Sequence, residues 1–236
     1  CAAGHSFDRA REGYVNLLLR RPGPSVGDSR EMLAARAAFL GAGHYQPLSD
    51  AVNREVLAHL AERGVGAVLD VGCGTGYYLA RLRRAAEGAS PPCALELAGV
   101  DVARDAVRFA ARACPGATFV VADAWRLLPV ADGVVDVLLS VFSPHNPDEF
   151  ARVLAGDGIL LVAGPEPHHL RELRSLPGFL SVPEDKRETL LAKMAGRFRL
   201  DHEAVIEFSL RLGPDALRQL AAMTPSARHL AADAPA

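Results

Sequence analysis

A chain of 236 residues, half of them hydrophobic, is long enough for one sizeable α/β domain with an appendage and too apolar to be disordered. Its formal net charge of −2 supplies no global attraction for nucleic acid, so any such partner must meet a local basic patch or a separate module. The scattered cysteines Cys1, Cys73, Cys93 and Cys114 form no disulfide framework and fit a reducing cytoplasm; Asp132 and Asp136 break the longest apolar run, so no membrane span or signal peptide is expected.

Residues 1–27 read as irregular, with Arg20 and Arg21 preceding Pro22, Gly23 and Pro24. Asp28 or Ser29 can cap a helix running to about Leu40, with Met32, Leu33, Ala37 and Leu40 near one face and Gly41 and Gly43 ending it. A second helix starts around Pro47 and carries Leu48, Val52, Val56 and Leu60. Together they predict a helical lid over 28–64. From residue 67 strand and helix alternate, with strands at 67–71, 95–101, 118–122, 134–141 and 158–163 and helices at 77–86, 103–113 and 147–154. That rhythm implies a parallel sheet with right-handed crossovers and helices on both faces. After Gly164 the pattern predicts a short helix at 168–176, a charged helix at 184–194, an alternating strand near 204–212 and a helix to Met223, a tail suited to the antiparallel end of the sheet. The expected units are 1–27, 28–64 and 65–236.

The run Val68-Leu69-Asp70-Val71-Gly72-Cys73-Gly74-Thr75-Gly76-Tyr77 organises the chain. A buried strand turning sharply into a helix over a ligand reads this way: Gly72 and Gly74 admit the ligand close to the backbone, and Gly76 lets the following helix pack tightly. The dinucleotide fingerprint requires a small residue after the third glycine, where Tyr77 stands, so a nicotinamide cofactor is disfavoured. Ligands of open α/β sheets bind outside the carboxyl ends of the strands, where Asp70, Asp101 and Asp123 end or follow three strands and Phe142-Ser143-Pro144-His145 ends the fourth. The glycine loop followed by a second acid resembles the first two motifs of the class I S-adenosylmethionine methyltransferases. That resemblance implies a Rossmann-like fold in which the loop of Gly72, Gly74, Thr75 and Gly76 faces the methionine part of S-adenosylmethionine. It places the ribose on Asp101, the adenine edge near Asp123, and the segment after the fourth strand toward the methyl group.

Cys1 and His5, with three residues between them, have the spacing of half a tetrahedral zinc site. They are followed by Phe7-Asp8, Glu12-Gly13-Tyr14-Val15-Asn16-Leu17-Leu18, Gly27-Asp28-Ser29 before Glu31-Met32, and Gly43-His44-Tyr45-Gln46-Pro47-Leu48. That succession, at these distances from the glycine loop, resembles the bacterial large-subunit (23S) rRNA guanine-N1 methyltransferases, a group that includes tylosin-resistance enzymes. The likeness continues to His169-Leu170 and Met223-Thr224-Pro225. It implies an N-terminal zinc module whose last two ligands are Cys1 and His5, the first two cysteines lying upstream. It further implies cofactor contacts from Tyr45 and His169, large-subunit rRNA as partner, and a link to macrolide resistance. The assembly state, homodimer included, stays open.

Guanine N1 carries a proton at neutral pH that must leave before or during attack, and Asp8, His145 and water are all candidate acceptors. N1 lies on the Watson–Crick edge, so the target must be unpaired or extruded, which favours a hairpin loop. Tyr14, Tyr78 and Trp125 could stack on it, although core packing is the commoner role for any one of these rings. Arg9, Arg11, Arg20, Arg21, Arg30 and Arg36 predict a phosphate patch. Two alternatives share the cofactor site: a methyltransferase of a small molecule, and a cofactor- or RNA-binding protein without turnover.

Overall fold

The computed structural model describes residues 4, 6–18, 27–173 and 182–224. Cys1, His5, Arg20, Arg21 and the end of the helix expected at 168–176 lie outside them. The strands are β1 (Val15–Asn16), β2 (Val65–Val71), β3 (Ala94–Asp101), β4 (Thr118–Val121), β5 (Val135–Val141) and β6 (Leu154–Ala163), ordered β1-β4-β3-β2-β5-β6 and all parallel. The central strand is β2, because Val68, Leu69 and Val71 are apolar on both faces, as a parallel strand covered by helices must be. Chain order reverses there, with β3 on one side and β5 on the other. Asp70 pairs with Gly99 and Leu139, which puts its carboxylate at this switch point.

Helices α2 (Gln46–Leu60), α3 (Tyr77–Glu87) and α4 (Arg104–Ala113) cover one face, burying Val56, Leu60, Leu79, Leu82 and Val107 against Val68, Val137 and Leu139. On the other face α5 (Pro147–Val153) and the loop after β4 bury Phe150, Val153 and Leu128 against Leu69, Val71 and Leu138. A third cluster joins α1 (Arg30–Gly41) to α7 (Pro214–Met223) through Phe39, Leu40, Tyr45, Leu220 and Met223, so the end of the described chain packs on α1. The hydroxyl of Ser29 caps α1 by accepting the Met32 amide at 3.3 Å. Among the described residues no helix is long and apolar enough to cross a membrane.

Three departures from the sequence reading have physical causes. Residues 201–213 form no strand; their alternation arises because Phe208, Leu210 and Leu212 point into the α1–α7 cluster while their neighbours face solvent, a period of two created by packing on helices. The described sheet therefore has no antiparallel end. At 167–173 there is a turn and a short 3₁₀ segment, Arg171–Leu173, in place of a regular helix. Val15 and Asn16 add an unforeseen edge strand to β4, continued by the Leu17 amide donating to Val121 at 3.0 Å; two residues are too few to show a period. This strand ties the segment before residue 27 to the main sheet. The charged helix, α6, spans Lys186–Met194 close to its expected bounds.

Candidate cofactor and methyl-transfer site

The loop after β2 is held from below. The amides of Gly72 and Cys73 donate to the Val100 carbonyl at 2.8 and 3.0 Å, clamping the loop to β3. All three glycines have positive φ, at +77° for Gly72, +52° for Gly74 and +76° for Gly76. Their surroundings differ. A Cβ on Gly72 would fall 2.4 Å from the Ser143 Cβ, and one on Gly76 would fall 2.7 Å from the Ala110 Cα, so these two serve the approach of the β5 loop and of α4. Only Gly74 has open room, its nearest neighbour being the Arg36 guanidinium at 3.7 Å. The close approach expected for a ligand is thus confined to Gly74, while Thr75, buried beside it, starts the turn into α3.

Two carboxylates flank this loop. Asp101 accepts the Gly74 amide at 2.9 Å through Oδ2 and the Ala103 amide at 2.8 Å through Oδ1, leaving one lone pair on each oxygen for a diol. Burial raises its pKa, and the two amide bonds pull it back. Asp70 is 1% exposed and its Oδ2 is buried without a hydrogen-bond partner. Burial, and secondarily the charge on Asp101, push Asp70 up to about 7. A buried carboxylate beside a second one favours a cationic guest. S-adenosylmethionine carries a sulfonium and an ammonium, so the residues present fit that cofactor.

Tyr45 and His169, 124 residues apart, meet at the carboxyl end of β5, with the Tyr45 hydroxyl 3.2 Å from His169 Nε2. Burial lifts the Tyr45 hydroxyl to about 12, so it stays protonated at neutral pH. Phe142 completes a cluster of rings, its centroid 6.1 Å from Tyr45 and 6.2 Å from His169, and it adopts a φ of +52° that its backbone bond to Ala163 at 2.9 Å helps hold. The adjoining Ser143 reaches back to Ser140, oxygen to oxygen, at 2.9 Å. Asp123 organises its own turn, accepting the Trp125 amide at 3.0 Å and lying 3.5 Å from the Arg126 guanidinium. The Ala122 amide donates to the Asp101 carbonyl at 3.1 Å, which sets Asp123 beside Asp101.

Residues 68–158 match the family model of a methyltransferase domain. A 23S rRNA (guanine(748)-N(1))-methyltransferase of Streptomyces fradiae is 44% identical over 234 residues, covering 97% of this chain and 79% of that protein. The chain belongs to the 23S rRNA guanine-N1 methyltransferase family. Relatives described as 23S rRNA (guanine-N(1)-)-methyltransferases, without a stated position, are 43% identical in Micromonospora griseorubida, over 97% of this chain and 79% of that one, and 33% identical in Bacillus subtilis, over 95% and 78%. Residues 1–19 match the N-terminal zinc-ribbon model of the same group, described as RlmA, N-terminal. A solved protein of Methanococcus maripaludis, described as an S-adenosylmethionine-dependent methyltransferase, superposes with a TM-score of 0.54 at 13% identity, over 79% of this chain and 93% of that one. That likeness supports the class I fold alone.

The structure sorts the side chains expected around the site. Tyr14 and Tyr78 are buried, the Tyr14 hydroxyl accepting from Arg104 Nε at 3.0 Å, so neither offers a stacking face; Trp125 is 60% exposed. Arg36 leaves the expected phosphate patch: it turns inward to Asp28 at 2.5 Å and to the Met223 carbonyl at 2.8 Å, satisfying an orphan carbonyl at the end of α7. The placement of Arg36 over the glycine loop had no sequence signal, since an Arg in an amphipathic helix looks like a solvated residue; Phe142 was marked by its place at the end of the fourth strand, but its packing beside Tyr45 and His169 was not. Among the described residues no group of three or more His, Cys, Asp or Glu could hold a metal ion.

Proposed function

We infer that this chain transfers the methyl group of S-adenosylmethionine to N1 of a guanine in 23S rRNA. The observation that carries the reading is 44% identity over 97% of the chain to a methyltransferase named for that atom and that RNA. The site supports it. Bound S-adenosylmethionine supplies an electrophilic methyl carbon on sulfur, open to in-line displacement. Asp101, with both oxygens oriented by amides, is placed to accept the ribose hydroxyls; Asp70, buried and unpartnered, offers a counter-charge to the cationic methionine end; Asp123 stands by the adenine edge. Gly72, Gly74, Thr75 and Gly76 form the floor, and Tyr45 with His169 forms the wall on the lid side. In this arrangement 28–64 is the lid and 65–236 the catalytic domain. Residues 1–27 carry the RNA-binding module, in which zinc is held by Cys1, His5 and two further ligands, since a structural zinc takes four. The target guanine sits in a hairpin loop, where its Watson–Crick edge is free. An enzyme acting on ribosomal RNA works in the cytoplasm.

Methylation of N1 blocks base pairing, so reverse transcription halts at the modified guanine. Treatment of unmodified 23S rRNA with the protein and S-adenosylmethionine is expected to create one new stop in a loop. A small-molecule methyltransferase, sharing the cofactor site, would bind S-adenosylmethionine and create none.

A further inference from the structure

His145 lies in the turn between β5 and α5, two residues past the Ser143 side chain that abuts Gly72. Its neighbour Asn146 donates to the Ala124 carbonyl at 3.1 Å, locking this turn to the Asp123–Arg126 loop. His145 Nε2 is buried and has no hydrogen-bond partner, a position that is costly when nothing fills it. The chain's only two lysines, Lys186 and Lys193, stand on α6 with their charges bearing on this imidazole, and Lys193 Nζ lies 4.7 Å from the centre of the exposed Trp125 ring. The nearby acids are engaged elsewhere: Asp123 with Arg126, Asp148 with Arg197 at 2.7 Å, Glu149 with Arg152 at 2.7 Å.

We propose that His145 is the proton acceptor of the methyl transfer, taking the N1 proton of the guanine through Nε2. The inference rests on the reading of the chain as a guanine-N1 methyltransferase. In the step the N1–H bond breaks and its proton moves to Nε2. The N1 lone pair forms a bond to the methyl carbon, and the carbon–sulfur bond breaks with its electrons left on sulfur as a neutral thioether. The imidazolium then releases its proton to water. Two observations beside the geometry agree. Burial, then Lys193 and Lys186, lower the His145 pKa from its ordinary value, so at neutral pH the ring is a free base. The same two cations favour the negative charge that spreads to the guanine carbonyl oxygen when N1 loses its proton.

The test is single-turnover methyl transfer to 23S rRNA from about pH 5 to about pH 9, with S-adenosylmethionine saturating at every pH so that titration of Asp70 does not enter, for the wild type, His145→Gln, His145→Ala and Lys193→Met. His145→Gln is expected to slow transfer about 10²- to 10⁴-fold and to abolish the acid limb of the profile, with S-adenosylmethionine affinity unchanged within about twofold. Added imidazole is expected to restore His145→Ala in part. Lys193→Met is expected to shift the acid limb upward, and ring-carbon NMR of His145 in the ligand-free protein is expected to show the same upward shift without any turnover. Wild-type rate and an unchanged acid limb in His145→Gln would overturn the proposal while leaving the enzyme's identity intact. A wild type that binds S-adenosylmethionine and leaves 23S rRNA unlabelled would overturn the identity, and this proposal with it.

Discussion

The Tyr45 hydroxyl and His169 Nε2 stand 3.2 Å apart, joining the start of the lid helix α2 to the turn after β6. Phe142 packs beside both rings, and in the proposed reading this cluster closes the site on the side of the methyl group. Because the Tyr45 hydroxyl stays protonated, the bond persists across the neutral range. Tyr45→Phe and His169→Ala are each expected to weaken S-adenosylmethionine binding about 5- to 30-fold, roughly 1–2 kcal/mol. The double variant is expected to be little weaker than either single one, because each change removes the same link. Calorimetric titration of the four proteins measures this; additive losses would show that the two residues act separately.

Asp70 is expected to make cofactor binding depend on pH. Its pKa in the folded protein, about 7, lies above the ordinary 3.8, so the ligand-free fold holds an extra proton between these values. The stability this group contributes is fully present below pH 3.8 and is lost as pH rises through about 7. A cationic cofactor prefers the ionised form, so affinity is expected to fall toward about tenfold per unit below pH 7 and to level off above it, with a proton released on binding in the falling range. Asp70→Asn is expected to weaken binding and flatten both dependences. Calorimetry in buffers of different ionisation enthalpy counts the proton directly, and no release near pH 6 would contradict a shifted Asp70.

The three loop glycines are expected to respond unequally to alanine. Gly76→Ala drives a Cβ to 2.7 Å from the Ala110 Cα, a backbone atom that cannot swing away, at a φ of +76°; the combined cost is roughly 2–4 kcal/mol of stability. Gly74→Ala meets nothing nearer than 3.7 Å and carries only the left-handed backbone penalty, about 1–2 kcal/mol, yet it places a methyl where the ligand should approach. Urea midpoints are expected to rank Gly76→Ala well below Gly74→Ala, and cofactor affinity to suffer clearly in Gly74→Ala. Equal midpoints would refute the assignment of Gly76 to helix packing.

Arg36 ties Asp28 to the end of α7 from within the lid. Arg36→Met keeps most of the apolar stem and removes both bonds, leaving the Met223 carbonyl and the Asp28 carboxylate short of a donor. An expected loss of about 1–3 kcal/mol in denaturant unfolding follows. Loss of S-adenosylmethionine affinity beyond that fold effect would show that the lid arginine also shapes the cofactor loop.

The frame was legible because its signals are local. The strand, the three glycines and the acids at successive strand ends have fixed spacing, and the sheet places Asp70, Asp101 and Asp123 where that spacing implies. What could not be read depends on long-range packing. Phe208, Leu210 and Leu212 alternate like a strand because helices, not a neighbouring strand, receive them. Whether Tyr14, Tyr78 or Trp125 is free to stack is decided by what covers each ring, which no spacing encodes. Gly72 was expected to admit a ligand and Gly76 the following helix, but their neighbours are Ser143, 71 residues from Gly72, and Ala110 of α4, contacts that only the folded chain defines.

The central claim is the chemistry at guanine N1. The most direct measurement transfers labelled methyl from S-adenosylmethionine to unmodified 23S rRNA, digests the product to nucleosides and maps the labelled position. The account predicts 1-methylguanosine as the labelled nucleoside, from one loop guanine. Label on another atom or base, or none while calorimetry shows the cofactor bound, would contradict it.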